Sequence, residues 1–221
     1  MARGIFVTGT DTGVGKTLIA VALLRALVAS GQRAAGMKPV SAGFEAGRSV
    51  NADIAAMMGA GNVDVPLADR NPYAFVPAIA PHLAAAEAGV GIDLDVIEAA
   101  YNRVAARSDV VVVEGAGGVA VPLDARHDML DIAQRLCLPV LLVVGVRLGC
   151  LNHALLSAAA ISARGLQLSG WVANCIDPEM RAVAANIDDL GLRLSAPLVA
   201  QVAFGAQPFQ SKGVLAKLGL D

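Results

Sequence analysis

The chain has 221 residues, of which 56% are hydrophobic, with a mean hydropathy of +0.60 and a formal net charge of −2. That length suits one open α/β domain with a large core, so a single domain over residues 1–221 is expected. The composition excludes a nucleic-acid surface, which needs clustered cations, and a membrane span, because Arg25 and Glu114 interrupt the longest apolar runs well short of about 18 residues.

Short apolar strands alternate with helical stretches along the whole chain, the pattern of βαβ units and a parallel sheet with helices on both faces. Met1 to Gly4 leads straight into a first strand, Gly4–Thr8, without the apolar core of a signal peptide. Residues 16–30 read as a helix ending near Gly31, and Ala34–Lys38 as a second strand. Asn51–Met58, Pro81–Ala88 and Asp93–Arg107 carry helical spacing. Asp109–Glu114 is continuously apolar up to its terminal carboxylate, as a buried parallel strand should be. Helix 128–136, strand 139–145, helix 150–164, strand 168–173, helix 178–190 and a weak strand 197–202 follow; the tail from Gly205 has no evident pattern. The loops at 41–50 and 59–81 are expected on the edge of the sheet formed by the strand C-termini, where such folds bind ligands. Cys137, Cys150 and Cys175 are widely spaced and form no CxxC pair, which favours a reducing cytoplasm over disulfides or zinc.

The segment Gly9–Thr17 joins the first strand to the first helix. It varies on GxxxxGK[ST], since that register would start at Thr10 and the glycine stands one residue further out, at Gly9. The working end Gly13-Val14-Gly15-Lys16-Thr17 is intact. Its backbone N–H groups, aided by the helix N-terminus, suit phosphate oxygens; Lys16 would reach the β- and γ-phosphates and the Thr17 hydroxyl a Mg²⁺ ion. A carboxylate at a buried strand's exit is costly unless a cation meets it, so Glu114, followed by Gly115-Ala116-Gly117-Gly118, is a candidate metal partner. Asp53 is a second candidate, although a helix N-terminal turn explains it equally well. Lys38, 22 residues after Lys16, is either a solvated strand-end lysine or a further cation aimed at phosphate.

These residues place the chain near a known family. Phe6–Thr12 with Val14–Thr17, Gly36–Val40, Asn71–Tyr73, Ala80–Leu83, Val113–Gly118, Gly145–His153 and Gly170–Asn174 occur in the order found in dethiobiotin synthetases. The chain resembles that family over most of residues 4–205. The resemblance implies a P-loop NTPase-like fold and an ATP- and Mg²⁺-dependent cyclo-ligase of biotin biosynthesis. Such an enzyme captures CO₂ on 7,8-diaminopelargonate as a carbamate, phosphorylates it with ATP, and closes the ureido ring with release of phosphate.

It further implies roles for individual residues. Lys16, Lys38 and Thr12 would act on the carbamate and the transferring phosphate. Thr17, Asp53 and Glu114 would hold the metal. Gly13, Val14, Gly15, Leu18, Gly115, Ala116, Gly117, Asn174, Cys175, Ala203, Phe204 and Gly205 would surround the nucleotide, with the Asn174 amide reading adenine. Lys38, Ser41 and, from the neighbouring subunit of a homodimer, Gly149, Cys150, Leu151 and Asn152 would hold the diamine substrate. Two departures stand out: the family's hydroxyl immediately before Gly43 is here Ala42, with Ser41 displaced by one, and Ala203 replaces a proline beside the adenine site. A displacement of one residue turns a side chain to the opposite face of extended backbone.

A partition- or division-type ATPase switch is the alternative. It expects a second lysine near the loop's start, where Asp11 and Thr12 stand, and a basic or amphipathic tail, where this chain offers only Lys212 and Lys217. An amidase on the same fold would need a glutaminase domain for which 221 residues leave no room.

Overall fold

The computed structural model describes residues 3–43, 50–208 and 212–221. Six strands form the main sheet: β1 (Arg3–Gly9), β2 (Ala34–Met37), β5 (Val110–Glu114), β6 (Val140–Val146), β7 (Leu168–Cys175) and β8 (Leu198–Val202), in the spatial order β2-β5-β1-β6-β7-β8. Every neighbouring pair is parallel. The helices among the described residues are α1 (Lys16–Ala29), α2 (Ala52–Ala60), α3 (Leu67–Arg70), α4 (Pro81–Glu87), α5 (Leu94–Ala105), α6 (Met129–Arg135), α7 (Cys150–Ala163), α8 (Val183–Arg193) and α9 (Lys212–Lys217).

The period-2 alternation of the strands divides the core in two. Ile5, Val7, Val110, Val112, Leu141, Val143 and Val172 face Ile19, Leu23, Leu24 and Leu27 of α1 and Ile54 and Met57 of α2. Phe6, Val111, Val113, Leu142, Val144 and Trp171 face Ile97 and Val104 of α5, Ile132 of α6 and Ile161 of α7. Burial on both faces is what allows four consecutive valines in β5. On the solvent side, Arg164 at the end of α7 joins Asp128 and Asp131, the reciprocal capping pair of α6, at 2.6 Å each.

Three local expectations change. The 178–190 helix begins only at Val183, because Ala182 sits at φ 57°, outside helical space; Pro178 to Arg181 form turns. The tail carries α9, whose Val214 and Leu215, with Leu218 just past its end, close the core beside α1. The loop at 59–81 does not keep to one edge of the sheet. Asn62 accepts from the Ala34 N–H at 2.9 Å and donates to the Gln32 carbonyl at 3.0 Å, at the start of β2. From there the chain runs the length of β2 and ends above its exit. There β3 (Val40–Ala42) and β4 (Tyr73–Phe75) pair in parallel as a second, small sheet. Of the 41–50 loop, residues 44–49 lie outside the described residues.

Arg70 pins this run. It is buried and donates to the carbonyls of Gly36 at 3.0 Å, Val65 at 3.2 Å and Val63. An Arg70→Met substitution strips three buried carbonyls of their donor, so the unfolding free energy is expected to fall by about 2 kcal/mol. A denaturant midpoint that does not move would show that the segment holds itself.

Candidate active site

Parallel strands deliver their C-termini to one edge, and four of them carry the residues singled out above. β1 ends at Gly9 and passes through residues 10–15 into α1; β2 exits at Lys38, β5 ends in Glu114, and β7 carries Asn174 next to its last residue. A cavity of about 660 Å³ opens there. Thr12, Gly13, Gly15, Lys16 and Thr17 form one wall; Lys38, Ala42, Asp53, Glu114, Ala116 and Gly117 form others; Ala78 to Pro81 and Val121 cover it.

The loop holds its shape through few contacts. Gly15 caps α1 at φ 91°, and a Cβ there would stand 2.3 Å from the Asn174 amide nitrogen. That amide donates to the Val14 carbonyl at 2.8 Å, tying the exit of β7 to the loop. Lys16 Nζ donates to the Asp11 carbonyl at 2.9 Å, and the Asp11 carboxylate pairs with Arg147 at 2.6 Å. Burial lowers the Lys16 pKa to about 8, against the pull of Glu114.

Beyond Lys16 lies a network of alternating charge. Lys38 Nζ meets Asp53 Oδ2 at 2.5 Å and Glu114 Oε1 at 2.7 Å, and the Thr17 hydroxyl donates to the same Glu114 oxygen at 2.9 Å. Lys38 is 5% exposed and Glu114 not at all. Burial works against the Lys38 ammonium, but the two carboxylates outweigh it and hold its pKa above the ordinary value. Burial likewise works to raise the Asp53 pKa, and Lys38 reverses it. The backbone beneath Lys38 is fixed: its N–H donates to the Arg70 carbonyl at 2.8 Å and its carbonyl accepts from Asn71 at 2.7 Å.

Two carboxylates and a hydroxyl form an all-oxygen donor set of the kind a hard divalent cation takes. Glu114 Oε2 is buried and has no hydrogen-bond partner, so one ligand oxygen is free. Among the described residues no group of three or more His, Cys, Asp or Glu gathers. A cation held at this point therefore needs further ligands from water or phosphate, as Mg²⁺ in nucleotide sites does. The residues fit such an ion.

The other singled-out residues do not line the cavity. Val14 and Gly115 are buried behind the cavity wall, and Leu18 is 38% exposed on α1 away from it. Ser41 does not line the cavity: it is fully buried and donates to Asn71 Oδ1 at 3.0 Å, while Ala42 does line it. Beyond the register pair Asn174 and Val202 come half-buried Cys175 and exposed Ala203, Phe204 and Gly205. Gly149 to Asn152 form the N-terminus of α7 and do not reach this cavity in their own chain. Asp11, Asn71 and Arg147 belong to the site's support and were not singled out for it. All three lie within segments that carry the family resemblance, and the asparagine before Pro72 also signals a turn.

A second cleft, of about 790 Å³, lies at the opposite edge of the sheet between β1, α5 and the C-terminal residues. Its arginines are engaged, Arg3 with Gln32 and the Asp221 carbonyl and Arg135 with Glu98 and Asp95.

A phosphate loop between strand and helix, an acidic strand end beside it, and an all-parallel sheet with β1 at the centre define a P-loop nucleoside triphosphatase fold. Solved structures agree. The septum site-determining protein MinD of Pyrococcus horikoshii superposes with a TM-score of 0.60 over 99% of this chain and 87% of that one, at 16% identity. The cell division protein FtsY of Thermotoga maritima gives a TM-score of 0.53 over 99% and 69%, at 18% identity. At these identities the likeness is one of fold alone. Residues 3–207 match the family model described as an AAA domain. In sequence the chain is 52% identical to the ATP-dependent dethiobiotin synthetase of Nitrosospira multiformis, over 90% of this chain and 87% of that protein. It is 50% identical to that of Aromatoleum aromaticum, over 94% of each. The chain belongs to the dethiobiotin synthetase family, and the family marks it as an ATP-dependent cyclo-ligase.

Proposed function

We propose that the chain, as one P-loop α/β domain, carboxylates 7,8-diaminopelargonate and closes the ureido ring to dethiobiotin at the expense of ATP. Family membership supports the overall reaction. The observation that carries the residue roles is Lys38: a second buried cation beside a phosphate loop, with its backbone fixed and its ammonium at the cavity wall.

The chemistry needs such a cation because a carbamate anion must approach the γ-phosphate of a polyanion. Backbone N–H groups of Gly13 to Thr17 and the Lys16 ammonium bind the phosphates. Lys38 neutralises the carbamate oxygen as it attacks, and Thr12 lines the same region. Thr17, Asp53 and Glu114 would hold Mg²⁺, which when bound would supply positive charge against the phosphates. ADP leaves as the γ-phosphoryl passes to the carbamate oxygen. The second amine of the diamine then attacks the carbamoyl carbon of the mixed carbamic–phosphoric anhydride, the nitrogen–carbon bond forms as the carbon–oxygen bond to phosphate breaks, and the amine gives up a proton as phosphate leaves. Asn174, at the end of β7, together with Cys175 and residues 203–205, flanks the base. Ser41, held by Asn71, supports Lys38 from behind.

Residues 149–152 require a second copy if they are to hold the substrate's far carboxylate. Support comes from their absence from their own chain's cavity and from Leu148, 90% exposed beside them. Sedimentation at the mass of a single 22.4 kDa chain would remove this part of the reading. The product and substrates are small and soluble, and among the described residues no helix is long and apolar enough to cross a membrane, in keeping with a cytoplasmic enzyme.

Phosphate release from ATP, with Mg²⁺ and bicarbonate present, tests the function. It should depend on 7,8-diaminopelargonate. Release that ignores the diamine, or that DNA or lipid vesicles stimulate, would sink it.

A further inference from the structure

Lys38 does more in this geometry than wait at the cavity wall. Its ammonium is seated on Glu114 Oε1 at 2.7 Å and Asp53 Oδ2 at 2.5 Å. Those two carboxylates belong to the set that fits a divalent cation, and the third member, the Thr17 hydroxyl, already donates to the same Glu114 oxygen at 2.9 Å. Lys38 and Glu114 are both buried, so little water stands between them to screen charge. An ammonium and a divalent ion carry like charge, and held on the same two buried carboxylates they repel one another strongly.

We infer that Lys38 and the divalent cation exclude one another at Glu114 and Asp53, so that the lysine plugs the metal position and metal entry drives its ammonium out into the cavity. The inference rests on the proposed reading of Thr17, Asp53 and Glu114 as the metal-holding set. The exchange needs no backbone movement. Asn71 holds the Lys38 carbonyl and Arg70 accepts from its N–H, so only the flexible four-carbon stem turns. Glu114 Oε2, buried without a partner, is an oxygen the incoming ion can take first. The two carboxylates are thereby never left uncompensated during the handover.

The consequence is an order of events. The cation that must meet the carbamate is withheld until the metal is seated, and is released into the cavity by that event. A site in which Lys38 pointed freely into the cavity from the outset would have no such coupling.

Mn²⁺ binding, read by electron paramagnetic resonance without any nucleotide, tests the exclusion directly. Lys38→Met should bind Mn²⁺ about tenfold or more tighter than the wild-type chain, since the competing charge is gone. Adding Glu114→Gln to that variant should abolish the gain. Equal Mn²⁺ affinity in the wild type and Lys38→Met overturns the inference. A second measurement leaves the site intact. The chain has four lysines, so ¹³Cε-labelled lysine gives a spectrum in which Lys38→Arg identifies the Lys38 signal. That signal should move with Mg²⁺ occupancy, and Mg²⁺ binding that leaves it unmoved also overturns the inference. Neither measurement uses diamine or bicarbonate. A chain that exchanges Lys38 for metal but shows no diamine-dependent phosphate release would refute the proposed function alone, and the reverse pattern would refute the exchange alone.

Discussion

Replacing Lys38 by alanine is expected to lower kcat by about 10²-fold or more without weakening nucleotide affinity. The structure separates the two quantities. Lys38 reaches the site from the exit of β2 and bonds to Asp53 and Glu114. Its loss removes a charge that matters most where the carbamate oxygen and the γ-phosphate share a transition state, an effect worth about 3 kcal/mol at 10²-fold. Isothermal titration with MgADP, beside steady-state turnover, distinguishes the outcomes. A fall in nucleotide affinity equal to the fall in kcat would make Lys38 a nucleotide ligand and withdraw it from the carbamate.

Lys16→Ala should damage both quantities. Its ammonium is drawn back to the Asp11 carbonyl, inside the curve of the loop, where a β- or γ-phosphate would meet it together with the N–H groups of residues 13–17. Because burial has lowered its pKa to about 8, the lysine carries its charge at a cost that a bound polyanion repays. Nucleotide affinity is expected to fall by about tenfold or more and kcat by about 10²-fold. Retained affinity in the same titration would show that the backbone N–H groups alone hold the phosphates.

Much of this architecture is legible in the sequence. The central strands announce themselves because they are buried on both faces, and Val110 to Val113 leave no other reading. The loop is legible for the reason that its working end is a local object: glycines, lysine and threonine act within a few residues of one another. What escaped was whatever depends on a distant partner or on very few residues. Val40–Ala42 and Tyr73–Phe75 are three residues each, too short for any period to show. Ala182 ends one conformation and begins another through a single positive φ, which no alanine advertises. The start of α9 falls after a stretch without pattern, and its place is set by contact with α1 across nearly the whole sequence.

The candidate residues show the same division. Lys38 and Glu114 were named separately, but their direct contact spans 76 positions. Ser41 is a displaced hydroxyl in the sequence, and its bond to Asn71, thirty residues on, is not legible there. Asn174 carries a duty toward the Val14 carbonyl that its strand-end position did not disclose.

The strand order has one more effect. Because β5 lies between β2 and β1, the side chains at this edge run Lys38, Glu114, Lys16: plus, minus, plus, like a row in an ionic lattice. With Asp53 on the far side of Lys38 the row nearly cancels itself. Fields of alternating charges die away within a few ångströms, so this edge casts almost no long-range attraction over the surrounding water. A triphosphate is then gripped at contact and not drawn in from afar, and its rate of capture should be nearly indifferent to ionic strength. The protein's slight overall negative charge is thus no obstacle to collecting one of the most negative small molecules in the cell.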